Sequence, residues 1–159
     1  MSHSAPNGRI AMIGTMDSIR PNHLESLAAF TTIFIPVKIK DSHWALAVLH
    51  PGSLGQQGRS EVYDSHERWA TKTMTTKNVF DLLKYRLGNA YSPMDWTVTE
   101  QQCSQPQQHD ADSALYVLAN AKSIVLNLGM IRVDTHRIRT RLRWQFAEEL
   151  VKQYIVVTF

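Results

Sequence analysis

One cysteine, Cys103, is all the thiol chemistry this 159-residue chain holds. A single cysteine excludes an intrachain disulfide, and without a second thiol neither a Cys-x-x-Cys zinc site nor a dithiol redox centre can be built. Neither a metal nor a cofactor is expected. The same scarcity suits a reducing compartment, so an intracellular location, nuclear or cytoplasmic, is expected. Long hydrophobic runs are missing too: no stretch approaches the ~18 apolar residues of a membrane span. Met1 to Ile10 is polar where a secretory signal needs its apolar segment. Glycine and proline are scarce, at 7 and 6 residues, which excludes collagen-like and low-complexity architectures.

What is present is the composition of a globular domain. Hydrophobic residues make up 43% of the chain, and a chain of this length buries roughly two thirds of its unfolded surface around one core. The formal net charge of +3 is unevenly placed. Five arginines stand between Arg132 and Arg143 against one acidic residue, Asp134, which leaves the rest of the chain near −1. This segment reads as the solvated face of a helix, partly paired with Glu148 and Glu149, where reversing the charge of Arg139 or Arg143 costs little. No zinc-finger spacing or RNA-binding aromatic signature accompanies it, so nucleic acid is not an expected partner. Neither is a membrane.

Residues 1–20 lack periodicity and are expected to be flexible, leaving 21–159 as a single domain. Asn22 to Phe30 offers an asparagine cap and apolar residues at helical spacing. Thr31 to Lys40 alternates as a strand, with Pro36 marking an edge, an end or a bulge. His43 to His50 is apolar on both alternating sets, as in a central strand covered on both faces. A turn-rich connection, Pro51 to Gly58, then leads to a strand over Arg59 to Asp64, and the two strands read as an antiparallel hairpin. With the loop centred near residues 53 and 54, His43 falls opposite Asp64. Thr75 to Leu87 reads as an amphipathic helix stopped by Gly88, and Asp95 to Glu100 as a short strand. The segment from Asp110 to Gly129 is apolar on most of a helical circumference and is expected to be buried. A surface helix from Asp134 to about Tyr154 follows, and the terminal apolar residues close as an edge strand or tail. The fold class is α+β: a mixed, mostly antiparallel sheet packed on the buried helix.

Taken singly, the polar residues have ordinary explanations: a histidine opening a strand is usually a surface residue, and an aspartate after a strand usually caps a turn. Together they form a pattern. His43-Trp44 opens the central strand, Tyr63-Asp64-Ser65 ends its partner, and a loop carrying Gln107 leads into Asp112-Ser113 at the start of the buried helix. That is the layout of a base, its orienter, an oxyanion donor and a nucleophile.

The stretches IPVKIKDSHWALAVLHP, EVYDS and QPQQHDADSALYVLANA resemble the HW-L-A-V, YDS and Q-x-N-x-x-D-C-G-x-Y-V-L motifs of the Ulp/SENP-type ubiquitin-like-protein peptidases, a family of cysteine proteases. The resemblance runs in order from about Thr31 to Tyr154. It implies a papain-like fold, His43 as general base, Asp64 as its orienting carboxylate, Gln107 in the oxyanion hole, and Ser113 at the place of the nucleophilic cysteine. Trp44 matches the aromatic that covers the substrate's C-terminal glycines. The implied partner is a ubiquitin-like modifier, of the SUMO or ubiquitin type, or its conjugates. Relative to the family the amino-terminal part is short, Asp-Cys-Gly is replaced by Asp112-Ser113-Ala114, and His109 stands where the family has asparagine.

The serine changes the chemistry. A cysteine at a helix N-terminus beside a histidine ionises near neutral pH, whereas a serine hydroxyl stays protonated until the base removes its proton during attack. Ala114 adds a Cβ where backbone approaches the substrate. Three readings follow: a thiol-protease-like hydrolase of a glycine peptide or isopeptide bond, impaired by Ser113; a pseudoprotease that binds a ubiquitin-like modifier or another partner; and an unrelated α+β binding protein. Cys103, ten residues before Ser113 and off the helix, is not expected to be a nucleophile.

Overall fold

The computed structural model describes residues 10–12, 30–39, 43–52, 56–66, 69–88, 91–99, 104–107 and 109–152. Of the expected helix from Asn22 to Phe30 only Phe30 is described, and Cys103 and the terminal segment after Lys152 lie outside these residues. Five strands form one sheet in chain order: β1 (Ile10–Met12), β2 (Thr32–Ile39), β3 (His43–His50), β4 (Gly58–Tyr63) and β5 (Trp96–Val98). The two long pairings, β2 with β3 and β3 with β4, are antiparallel. The two short edge pairings, β1 with β2 and β4 with β5, are parallel. The helices are α1 (Trp69–Leu87), α2 (Ser113–Val125) and α3 (His136–Lys152).

Alternation along the strands sends side chains to two cores. Ile33, Ile35, Ala47 and Leu49 pack against Val79, Leu82 and Leu83 of α1 on one face. Phe34, Leu46, Val48 and Tyr63 meet Val117 and Ala121 of α2 on the other. The apolar residues of both alternating sets in β3 are thereby explained: the strand lies at the sheet centre between two helical layers. Helix α2 has a second neighbour, since Leu115, Tyr116 and Ala119 pack with Val133 and Leu142 beneath α3. A helix enclosed between a sheet and another helix has little solvated surface, hence its nearly all-round apolar sequence.

Several boundaries depart from expectation. Ile10–Met12, placed in a flexible segment by the sequence, forms β1 beside Thr32 to Phe34. Pro36 lies beyond the described β1 pairing, which ends at Phe34, so its missing N–H breaks no bond in that ladder. Helix α1 starts at Trp69, six residues before the expected Thr75. It stops where anticipated, with Gly88 at φ +52°, a left-handed conformation that favours glycine. Helix α2 ends at Val125, short of Gly129, because Asn127 turns left-handed at φ +50°. Gly58, expected in a turn, opens β4 against β5, where an added Cβ would lie 2.8 Å from the Trp96 ring. No described helix is long and apolar enough to cross a membrane.

The hairpin register is displaced by two residues. Leu46 faces Tyr63 and His50 faces Arg59, where the expected register sets them opposite Glu61 and Gln57. Continued beyond the ladder, the register sets His43 opposite His66, with Asp64 diagonal to it.

Candidate active site

The chain leaves β4 at Tyr63 and turns at once. Asp64, fully buried, accepts the His66 backbone N–H on Oδ1 at 2.9 Å, the side-chain-to-backbone bond of an Asx turn. The same oxygen lies 2.7 Å from His43 Nε2. An aspartate that caps a turn and an aspartate that orients a histidine are therefore one residue here. His43 has its ring edge-on to that of His66, with centroids 4.6 Å apart and planes at 85°. A carboxylate oxygen accepting from Nε2 fixes the tautomer with its hydrogen on Nε2 and leaves the lone pair on Nδ1. Nδ1 is buried with no hydrogen-bond partner. It is the ring nitrogen available to take a proton.

The next residue connects this pair to α2. The Trp44 backbone N–H, beyond the end of the β3–β4 ladder, donates to Ser113 Oγ at 3.1 Å. Ser113 is the first residue of α2 and is 1% exposed. The Trp44 side chain is half-buried against the sheet core above α2. An N–H directed at the oxygen of residue 113 stabilises negative charge there, as does the helix N-terminus on which it sits.

Gln107 arrives on the loop before α2 and is held by Ser65. The Ser65 hydroxyl donates to Gln107 Oε1 at 2.5 Å, and the Gln107 backbone N–H donates to the Ser65 carbonyl at 2.8 Å. With its oxygen engaged, the amide presents Nε2, which is buried and has no hydrogen-bond partner. A preorganised donor without a protein acceptor is what an oxyanion requires. The Tyr116 hydroxyl, one turn into α2, donates to the carbonyl of Pro106, adjoining Gln107, at 3.3 Å. A second contact reaches the Val133 carbonyl at 3.4 Å. Burial raises the Tyr116 pKa above 10.0, the Arg139 charge lowers it, and Asp112 and Asp134 raise it.

The surface reading of the arginine segment fails at Arg139 and holds at Arg132, Arg137 and Arg141, which are exposed. Arg139 is buried, and its Nε lies 3.2 Å from Asp112 Oδ2, while Arg143 one turn on holds Asp112 Oδ1. Their partner is the residue before Ser113, not Glu148 or Glu149, which pair with Lys152 and Lys122. The reason is packing: α3 lies on α2 through Leu142, so Arg139 and Arg143 reach the start of α2 while Arg137 and Arg141 face solvent. Sequence reasoning assigned no site role to Ser65, His66 or Tyr116, and it placed Arg139 and Arg143 on a solvated helix face. For Ser65 the signal was its place beside Asp64 in the YDS stretch; for the arginines it was a charge surplus without enough neighbouring acids. Among the described residues no group of three or more histidine, cysteine, aspartate or glutamate side chains is arranged to hold a metal ion.

Residues 9–154 match the Ulp1 protease family, C-terminal catalytic domain. The chain belongs to the Ulp1 protease family. The catalytic domain of the Chaetomium thermophilum Ulp1-like SUMO protease is 23% identical with a TM-score of 0.51, over 74% of this chain and 45% of that one. The Ulp1 protease domain solved with SMT3, the yeast ortholog of SUMO, is 17% identical with a TM-score of 0.56, over 78% of this chain and 53% of that one. This family member thus spans about half the length of those Ulp1 domains. The central domain of the Legionella pneumophila protein Lpg1148 is nearer in length: 19% identity, TM-score 0.59, and coverage of 93% and 91%. No curated protein gives a significant match. At these identities the solved neighbours bear on the fold alone, an α+β Ulp1-like fold with a mixed sheet.

Proposed function

We propose that this Ulp1-family domain hydrolyses the peptide or isopeptide bond at the C-terminal glycine of a ubiquitin-like modifier, through His43, Asp64, Gln107 and Ser113. The observation that carries the reading is the convergence of three prepared groups: His43 with Nε2 on Asp64 and Nδ1 open, Ser113 Oγ on the Trp44 N–H, and Gln107 Nε2 unpartnered. In this mechanism Ser113 Oγ attacks the carbonyl carbon as its proton passes to His43 Nδ1. Gln107 Nε2 donates to the tetrahedral oxyanion. The imidazolium, held by Asp64, returns the proton to the leaving amine, and water cleaves the acyl ester by the same route in reverse. Trp44 is assigned the cover of the C-terminal glycines on the resemblance of His43-Trp44 to the family motif.

Ser113 makes the first step slow, because no ionised nucleophile exists before attack and the site has cysteine-protease dimensions. The deciding experiment compares the chain with its Ser113→Cys form on a panel of ubiquitin-like precursors and conjugates. The expected result is weak or undetectable turnover by the serine form and clear cleavage by the cysteine form, abolished by His43→Ala. A folded but silent Ser113→Cys protein that still binds a ubiquitin-like modifier would establish the pseudoprotease instead.

A further inference from the structure

Asp112 occupies the N-cap position of α2 but makes no side-chain cap hydrogen bond. An N-cap aspartate ordinarily turns its carboxylate onto the second or third amide of its helix. Here it would put negative charge at the pole where the anionic form of a nucleophile has to be held. Instead, the buried carboxylate points to α3, with Oδ2 on Arg139 and Oδ1 on Arg143. The guanidinium groups, four residues apart on one helix face, carry more charge than the carboxylate they clasp.

We propose that Arg139 and Arg143 are positioning residues for position 113: by drawing the Asp112 carboxylate away and neutralising it, they keep the start of α2 favourable to negative charge. The inference rests on the reading of Ser113 as the nucleophile position. Arg139, buried, has the larger effect, and Arg143, 54% exposed, is partly screened by water. Among the described residues the other ionisable groups of the site are His43, Asp64 and His66 on the sheet side and Tyr116 on α2. The clasp adds the α3 contribution to that field.

The test reads the charge at position 113 without any substrate. In a Cys103→Ser, Ser113→Cys background the introduced thiol is the sole thiol, and its alkylation by iodoacetamide is followed against pH. Arg139→Gln is expected to raise the midpoint by about one pH unit, slowing alkylation about tenfold below it. Arg143→Gln should move it the same way by less. Adding Asp112→Asn to Arg139→Gln should return the midpoint toward the parent value, which repairing a merely structural contact would not do. If Arg139→Gln does not fold, Arg143→Gln and the Asp112→Asn, Arg139→Gln pair carry the test. An unmoved midpoint in folded arginine variants, or a shift that Asp112→Asn does not reverse, would overturn the proposal. A chain that cleaves no ubiquitin-like substrate leaves this measurement intact, so the two readings fail separately.

Discussion

Ser65 holds Gln107 at two points, through its hydroxyl to the side-chain oxygen and through its carbonyl to the backbone N–H. The first bond selects which end of the amide faces the site, and the second sets where the residue starts. Ser65→Ala removes only the first. In the Ser113→Cys form it is expected to lower kcat on a ubiquitin-like substrate by about tenfold with little change in KM, as befits a donor needed mainly in the transition state. Ser65→Thr, which keeps the hydroxyl, should retain most of the rate. Equal loss in both variants would place the effect in packing.

Asp64→Ala tests the tautomer. Without the carboxylate no acceptor holds the hydrogen on Nε2, so the form with hydrogen on Nδ1 becomes populated and the lone pair leaves the nitrogen that takes the proton. Activity in the Ser113→Cys form should fall by about 10²-fold or more. Nitrogen chemical shifts of His43 should show the hydrogen moving from Nε2 to Nδ1, and shifts unchanged from the parent would refute the assignment.

Charge reversal separates the buried arginine from its exposed neighbour. Arg139→Glu sets a second carboxylate against buried Asp112 and should cost about 3–5 kcal/mol of stability. Arg137→Glu, at an exposed position on α3, should stay within about 0.5 kcal/mol. Urea unfolding of both variants, compared at equal m-values, decides it.

Tyr116 gives a pH dependence. Burial, the largest cause, raises its folded pKa above the ordinary 10.0, so the folded protein holds the phenolic proton longer than the unfolded chain does. Its contribution is fully present below pH ~10 and is lost as pH rises through the folded value. As pH rises above ~10 the urea midpoint should fall, and Tyr116→Phe should make the fall shallower. Parallel declines in the two proteins would assign the alkaline loss to other groups.

The sheet centre and the site order were readable because single-chain patterns encode them. Double-faced burial of β3 writes itself into every position from Ala45 to Leu49, and His43, Asp64 and Ser113 each sit at an element end that local signals mark, with Gln107 in the loop before α2. The start of α1 was not readable, since Thr71, Thr73 and Thr75 are β-branched, Lys72 is charged, and the apolar face begins with Val79 and Leu82. The hairpin register was missed by two because turn residues fix a loop's existence better than its midpoint. Arg139 was misread for a different reason. Its partner, Asp112, lies far back in the chain, and charge counted along a sequence has no knowledge of which helix will lie on which.

Helix α2 is shared by two cores, with Val117 and Ala121 on the sheet and Leu115 and Ala119 under α3. It cannot unwind without releasing both at once, so its amides belong to the slowest-exchanging hydrogens of the molecule. The three-residue edge strands β1 and β5, each paired on one side, can open by themselves. Position 113 is therefore anchored in the part of the protein whose local opening costs nearly as much as global unfolding, and its geometry persists through fluctuations that the sheet edges do not survive.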